Sequence, residues 1–237
     1  MPLLIFMIGA CFGSFISCMS HRYMTHESIL GRSHCDYCGH TLHVLDLIPV
    51  LSYILLKGQC RYCRHKLNKS LLVHELIAGF LFVLFYIHDG LSILYLSHIA
   101  SLTCFYIISI IDLHLYEIPD IYLLISLLSS FKIIYLKESL LFVLFLILFV
   151  YLFYKITGKE GLGGGDVKML GVCSLSLGIY QTLSILSIAC FLGIIFSFIN
   201  QKKMIPFGPF IALGWLTISL FDSFFIPVSY THLTLPT

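Results

Sequence analysis

Apolar residues gather in long runs, at about 3–19, 71–88, 91–111, 121–136, 138–154, 167–182, 183–200 and 205–226. A run near 20 residues is the length a helix needs to cross the hydrocarbon layer. Backbone polar groups in that layer must be satisfied within the segment, which favours helices. The pattern therefore predicts an all-α polytopic membrane protein with about eight transmembrane helices. The 167–200 region is the hardest to divide, with only Gly178 and its polar neighbours marking a turn. One long polar segment, about 20–70, separates the first and second runs. Within it, Val44–Leu56 is apolar but too short to cross, and it carries Asp46 and Pro49. Such a stretch is either the core of a loop domain or an interfacial segment. The expected organisation is a first span at 1–19, a cytoplasmic loop domain at 20–70, a membrane core at 71–226 and a tail at 227–237. The tail is short and Thr-rich, without helical periodicity. It is expected to be disordered or foreign to the natural gene, and no role is assigned to it.

Composition narrows the class. Of 237 residues, 59% are hydrophobic and 11% charged, with a mean hydropathy of +0.97. Soluble domains carry roughly a quarter charged residues. A soluble globule, a disordered chain and a basic nucleic-acid binder are excluded. No cleavable signal peptide is expected, because Leu3–Met19 lacks a basic lead and a small-residue cleavage site.

The distribution of charge orients the chain. Seven of fourteen cations lie in the 20–70 loop: Arg22, Arg32, Lys57, Arg61, Arg64, Lys66 and Lys69. With that loop inside, alternation adds Lys155, Lys159, Lys168, Lys202 and Lys203, leaving only Lys132 and Lys137 outside. The positive-inside bias predicts a cytoplasmic loop.

Two features carry candidate chemistry. The first is Cys35-Asp-Tyr-Cys38 followed by Cys60-Arg-Tyr-Cys63, a doubled C-x2-C pattern. Two thiolates on each of two tight turns make a tetrahedral four-sulfur site, closed and therefore structural, with zinc as the expected ion. A loop of about 50 residues has too little core to hold itself. Gly39 and Gly58 suit the turns, while His34, His40 and His65 read as solvated neighbours. The other reading is a reduced or redox-active thiol set, though a structural disulfide is disfavoured inside the cell. The second feature is a pair of aspartates at the cytoplasmic ends of spans, Asp112 and Asp166. Ionisable groups in membrane segments are costly and are functional candidates. Two carboxylates meeting at one depth would share a proton and divide the roles of base and acid, as in an aspartic protease. Gly163–Gly165, before Asp166, are expected to permit positive φ and close approach of a substrate. Taken singly, Asp166 reads as a helix cap and Asp112 as a helix-end residue. Asp120, after Pro119, is a rival partner or a cap. Glu75 and Asp89 look interfacial, and Asp222 lies near the opposite face. His114, Glu117 and Lys168 are near neighbours of the aspartates.

At these residues the chain resembles the type IV prepilin peptidases, membrane aspartic proteases with a G-x-G-D motif. The likeness covers nearly everything up to about Phe225. It rests on five stretches in order: Gly13-Ser-Phe-Ile-Ser-Cys-Met-Ser-His-Arg22, the Cys35–Cys63 loop with Asp46-Leu-Ile-Pro-Val-Leu-Ser-Tyr53, Asp112 to Asp120, Gly163-Gly-Gly-Asp166-Val-Lys168, and Pro206-Phe-Gly-Pro-Phe210. Ser17 stands where the family usually has Asn. The resemblance implies cleavage of the basic leader of type IV prepilins or competence-type pseudopilins, after a Gly, at the cytoplasmic face of the bacterial inner membrane. Asp112 and Asp166 carry over as the catalytic dyad. Many members also N-methylate the new terminus with S-adenosylmethionine, an activity associated with the loop bearing the Cys pairs; residues 20–70 show no Gly-rich nucleotide-binding pattern. The implied partners are the prepilin substrate and the lipid bilayer, with no nucleic acid. Alternatives are the same chemistry on another signal peptide, a non-catalytic zinc-stapled scaffold of a secretion or pilus system, and a transporter. A transporter predicts acids near the bilayer midplane, where the spans are almost free of them.

Overall fold

The structure, a computed structural model, describes residues 1–28, 31–158, 161–201 and 204–225, with side chains described to Phe221. The tail at 227–237 and Lys159, Lys202 and Lys203 lie outside these, as does the side chain of Asp222. Nine α-helices are described: α1 Pro2–Thr25, α2 Leu51–Leu55, α3 Lys69–Asp89, α4 Ile93–Leu115, α5 Asp120–Ser130, α6 Leu136–Thr157, α7 Gly164–Leu177, α8 Ile179–Asn200 and α9 Gly208–Phe225. Short 3₁₀ turns occupy Val44–Leu47 and Ile133–Tyr135. Among the described residues there is no named strand, so the fold is all-α. Each of the eight apolar runs holds a helix. Five helical segments are long and apolar enough to cross a membrane: α1, α3, α4, Ile133–Thr157 and α8. The chain is thus a multi-pass membrane protein. Helices α5, α7 and α9 are shorter.

The chain divides into two units, Met1–Ser129 and Ser130–Thr237. In the first, α1 packs along α3 and α4. The approach of α1 to α3 is close because of glycine. A Cβ on Gly13 would stand 2.5 Å from the His74 carbonyl oxygen and 2.6 Å from the Glu75 Cα. Small residues at a helix crossing let backbones meet where hydrophobic burial drives little.

Helix α1 runs six residues past the boundary expected from hydropathy. Its polar last turns are held locally: the Ser20 hydroxyl donates to the Ile16 carbonyl at 2.8 Å. The buried Arg22 donates to the carbonyls of Ser28, Gly31 and Arg32 at 3.3, 2.9 and 3.3 Å. A buried guanidinium so placed ties the following loop to the helix that ends there.

In the second unit, α7 packs against α6, α8 and α9, and α8 against α9. Gly178 separates α7 from α8 with φ of +96°, a conformation that side chains resist. The run expected at 121–136 ends earlier, at Ser130. The Ser129 hydroxyl turns back onto the Ser126 carbonyl at 2.8 Å, and the Lys132 N–H leaves to the Leu175 carbonyl at 3.1 Å. The chain then re-enters helical structure at Ile133.

Candidate metal centre and candidate active site

The two cysteine turns are copies of one another. Cys35-x-Tyr37-Cys38-x-His40 repeats as Cys60-x-Tyr62-Cys63-x-His65. In each, the first cysteine's N–H donates to the histidine carbonyl, at 3.0 Å in the first turn and 2.9 Å in the second. The first cysteine's carbonyl accepts from the N–H four residues on, Gly39 at 2.8 Å and Arg64 at 3.0 Å. Gly39 and Arg64 occupy equivalent left-handed positions, φ +69° and +55°. Flanking residues close each loop through the bridges His34–Thr41 and Gln59–Lys66.

The copies interlock. Tyr37 of the first stacks on His65 of the second at 3.8 Å, and His40 of the first lies on Tyr62 of the second at 3.7 Å. The histidines are thereby used in ring contacts between the turns. This repeat was legible in the sequence as C-x-Y-C-x-H twice; attention to the cysteines alone passes over it.

The four sulfurs converge within 4.8 Å of one another. Cys35 Sγ and Cys63 Sγ are 3.9 Å apart. That is far longer than a disulfide bond of about 2.05 Å. It fits the roughly 3.8 Å edge of a tetrahedron with metal–sulfur bonds of about 2.3 Å. The donor set therefore suits one thiophilic ion. Burial pushes the Cys60 thiol up, but the N–H groups of Cys63 and Tyr62 and the neighbouring thiols hold it down to about 7. At Cys63 the His65 N–H acts downward, and burial with the surrounding thiols outweighs it, pushing the group up to about 11. Thiolate character is thus divided unequally among the ligands.

Little else holds this loop. Between residues 26 and 68, among those described, only Cys35, Pro49, Gly58 and Cys60 are buried. Asp46 gathers one cluster, taking Arg61 Nε at 2.6 Å and the His43 N–H at 3.2 Å. A groove of about 260 Å³ lined by His43, Val44, Leu45, Arg61 and Tyr62 adjoins it. No residue of Val44–Leu47 or α2 is buried, so the apolar stretch is not the core of the loop.

Glu75 is not a surface residue of α3. It is buried, and its Oε2 accepts the Val50 N–H at 2.7 Å. Val50, the residue before α2, sits at φ +64°. The bond pins the start of α2 to α3. Next to it, the His74 ring meets the Tyr106 hydroxyl at 2.8 Å. At the other end of α3 the half-buried Asp89 has a shielded side chain, bridged by His88 and His98, each at 2.7 Å.

Asp112 stands in the last turn of α4 and is 5% exposed. Asp166 stands in the first turn of α7, half-buried, in the second unit. Its carboxylate reaches back to accept the Gly163 N–H at 3.3 Å. Gly163, not Asp166, is the residue that caps α7. The expectation of positive φ in Gly163–Gly165 is corrected: Gly163 has φ −67°, and Gly164 and Gly165 are helical. What these glycines supply is room. A Cβ on Gly163 would lie 3.0 Å from the Asp166 carboxylate, and one on Gly164 would meet nothing. Asp120 opens α5 and is exposed; His114, Glu117 and Lys168 are exposed too.

Comparison with known proteins bears on this arrangement. The profile of the Bacterial Peptidase A24 N-terminal domain matches residues 7–88, and that of the Type IV leader peptidase family matches residues 99–198. A prepilin leader peptidase/N-methyltransferase of Dichelobacter nodosus is 33% identical over 206 residues, covering 78% of this chain and 70% of the relative. The chain belongs to the type IV leader peptidase family. It is accordingly a membrane peptidase. Proteins of the same printed name in Bacillus subtilis and Aeromonas hydrophila are 28% and 30% identical. The former match covers 95% of this chain and 98% of the relative, the latter 81% and 72%. No solved structure matches the chain.

Proposed function

We propose that the protein is an aspartic endopeptidase that removes the leader of type IV prepilins or pseudopilins at the cytoplasmic face of the inner membrane. The observation that carries this reading is a pair of carboxylates at helix ends, Asp112 in the last turn of α4 and Asp166 in the first turn of α7. By the charge bias both ends face the cytoplasm. In the proposed dyad one carboxylate is ionised and takes a proton from water. That water attacks the carbonyl of the Gly before the cut. The other, protonated, donates to the carbonyl oxygen; as the C–N bond breaks, the leaving amine takes the proton that the first gained from water, and the gem-diol returns one proton to the second. The two carboxylates share one proton, and the roles of base and acid belong to the pair.

The Cys35, Cys38, Cys60, Cys63 site is proposed to hold a structural zinc within a cytoplasmic loop domain, 20–70. It supplies tetrahedral cross-linking and no step of the cleavage. The second activity in the relatives' printed names, N-methylation, is carried over with S-adenosylmethionine as methyl donor and with no residue assigned.

The test is co-expression with a candidate prepilin, reading the substrate's mass for loss of the leader and gain of one methyl group. Asp112→Asn and Asp166→Asn should each abolish cleavage, and the double variant should do little more, because neither group can serve as both acid and base. Asp120→Asn should cleave normally. Full cleavage by Asp166→Asn would end the dyad assignment, and absence of cleavage by the unchanged chain would favour the non-catalytic scaffold.

A further inference from the structure

The stretch Val44–Leu55 presents apolar side chains outward instead of folding them into the loop. Val44 is 77% exposed, Ile54 60% and Leu55 78%, with Leu45, Leu47 and Leu51 also exposed. Leu51, Ile54 and Leu55 share one face of α2 by their i, i+3, i+4 spacing. Val44 and Leu47 share one edge of the 3₁₀ turn, where residues three apart eclipse. Exposed cations follow closely in the chain, Lys57, Arg64, Lys66 and Lys69, and Arg61 lies beside Val44 and Leu45 while paired with Asp46.

Its depth is set by Glu75. This residue lies six positions inside α3, about 9 Å along the axis at about 1.5 Å per residue. Helix α3 has 21 residues, about 31 Å, which matches a hydrocarbon layer of about 30 Å. The 2.7 Å bond from the Val50 N–H to Glu75 therefore holds the start of α2 about 9 Å below that end of α3, within the roughly 5–10 Å to which interfacial helices sink. An apolar face at that depth, with cations close by in the chain, is the arrangement of a helix lying in the interface.

We propose that Val44–Leu55 is an interfacial anchor that seats the cysteine loop on the membrane, its apolar residues in the acyl boundary and its flanking cations on anionic glycerophospholipid headgroups. The proposal rests on α3 spanning the bilayer. It needs neither the catalytic assignment nor the side of the membrane, so it stands apart from the cleavage test.

The full-length chain in a Trp215→Phe background, carrying Leu55→Trp, is reconstituted into phosphatidylcholine vesicles with and without phosphatidylglycerol. Brominated-acyl lipids should quench the new indole roughly threefold more than they quench a further variant with Leu51→Asp and Ile54→Asp. Phosphatidylglycerol should increase the quenching, and acrylamide should reach the indole poorly. If Trp215→Phe does not fold, the same quenching is read as the increment over a parent retaining Trp215. Retention of metal by the Asp variants shows that the cysteine loop is intact. An indole open to acrylamide and untouched by brominated lipid in both mixtures would overturn the anchor. Shielding only on addition of a basic leader peptide would likewise overturn it, in favour of a substrate surface.

Discussion

At the scale of single residues, what a side chain would touch decides more than what the residue is. Gly13 and Gly164 are both helical glycines near motifs, yet a Cβ meets backbone at 2.5 Å on one and nothing on the other. Gly13→Val should overpack the α1–α3 crossing and destabilise by about 1–3 kcal/mol. Gly164→Ala should leave stability unchanged or raise it by up to about 1 kcal/mol, since Ala suits a helix better. Thermal unfolding in detergent separates the two: a lowered midpoint for Gly13→Val only. Asp166 illustrates the same lesson. Its position beside three glycines suggests backbone strain, but the glycines have ordinary backbone angles and matter by leaving the carboxylate uncrowded.

At the scale of elements, the doubled C-x-Y-C-x-H turns form a unit with almost no apolar core, held by thiols, one stacked and one tilted ring pair and short backbone bridges. Metal binding and folding of such a loop are coupled. Purified protein should carry about one zinc per chain. Chelation, or Cys35→Ser or Cys60→Ser, should open residues 26–68 to protease while leaving the spanning helices protected; a loop equally resistant without metal would refute the coupling. The pH dependence follows from the thiols. Bound metal requires thiolates, so affinity falls as pH falls, by about tenfold per unit for each proton displaced. Cys63, pushed up to about 11, contributes to that slope across the neutral range, and Cys60, at about 7, adds a further proton below neutrality. A competition assay against a metal indicator should show the slope steepening below about pH 7; a flat profile would contradict the thiolate ligand set.

At the scale of the whole molecule, the charge bias makes one orientation cheaper than its reverse. Maleimide labelling of intact cells should miss cysteines introduced near Lys57 and Lys155 and reach one introduced near Lys137. Labelling at Lys57 from outside would invert the protein and move both aspartates to the other face. The eight apolar runs and the polar loop between the first two follow from the order of apolar and polar residues, because the bilayer admits few ways to satisfy a backbone. The cysteine spacing likewise dictates convergence of four sulfurs, since a C-x2-C turn can do little else with one ion. Helix ends were less legible. Hydropathy stops α1 at Met19, whereas hydrogen bonds of Ser20 and Arg22 carry it to Thr25. Hydropathy also runs on past Ser130, where serine back-bonding and the Lys132–Leu175 contact end α5. Glu75 lay further from the sequence, as did the choice between the two readings of the stretch Val44–Leu55, loop core or interfacial segment. Nothing local tells a carboxylate that it will cap a loop 25 residues away, or tells an apolar segment that its neighbours will leave it uncovered. Those outcomes depend on which backbones glycine lets approach, and only the packed α1–α3 pair decides them.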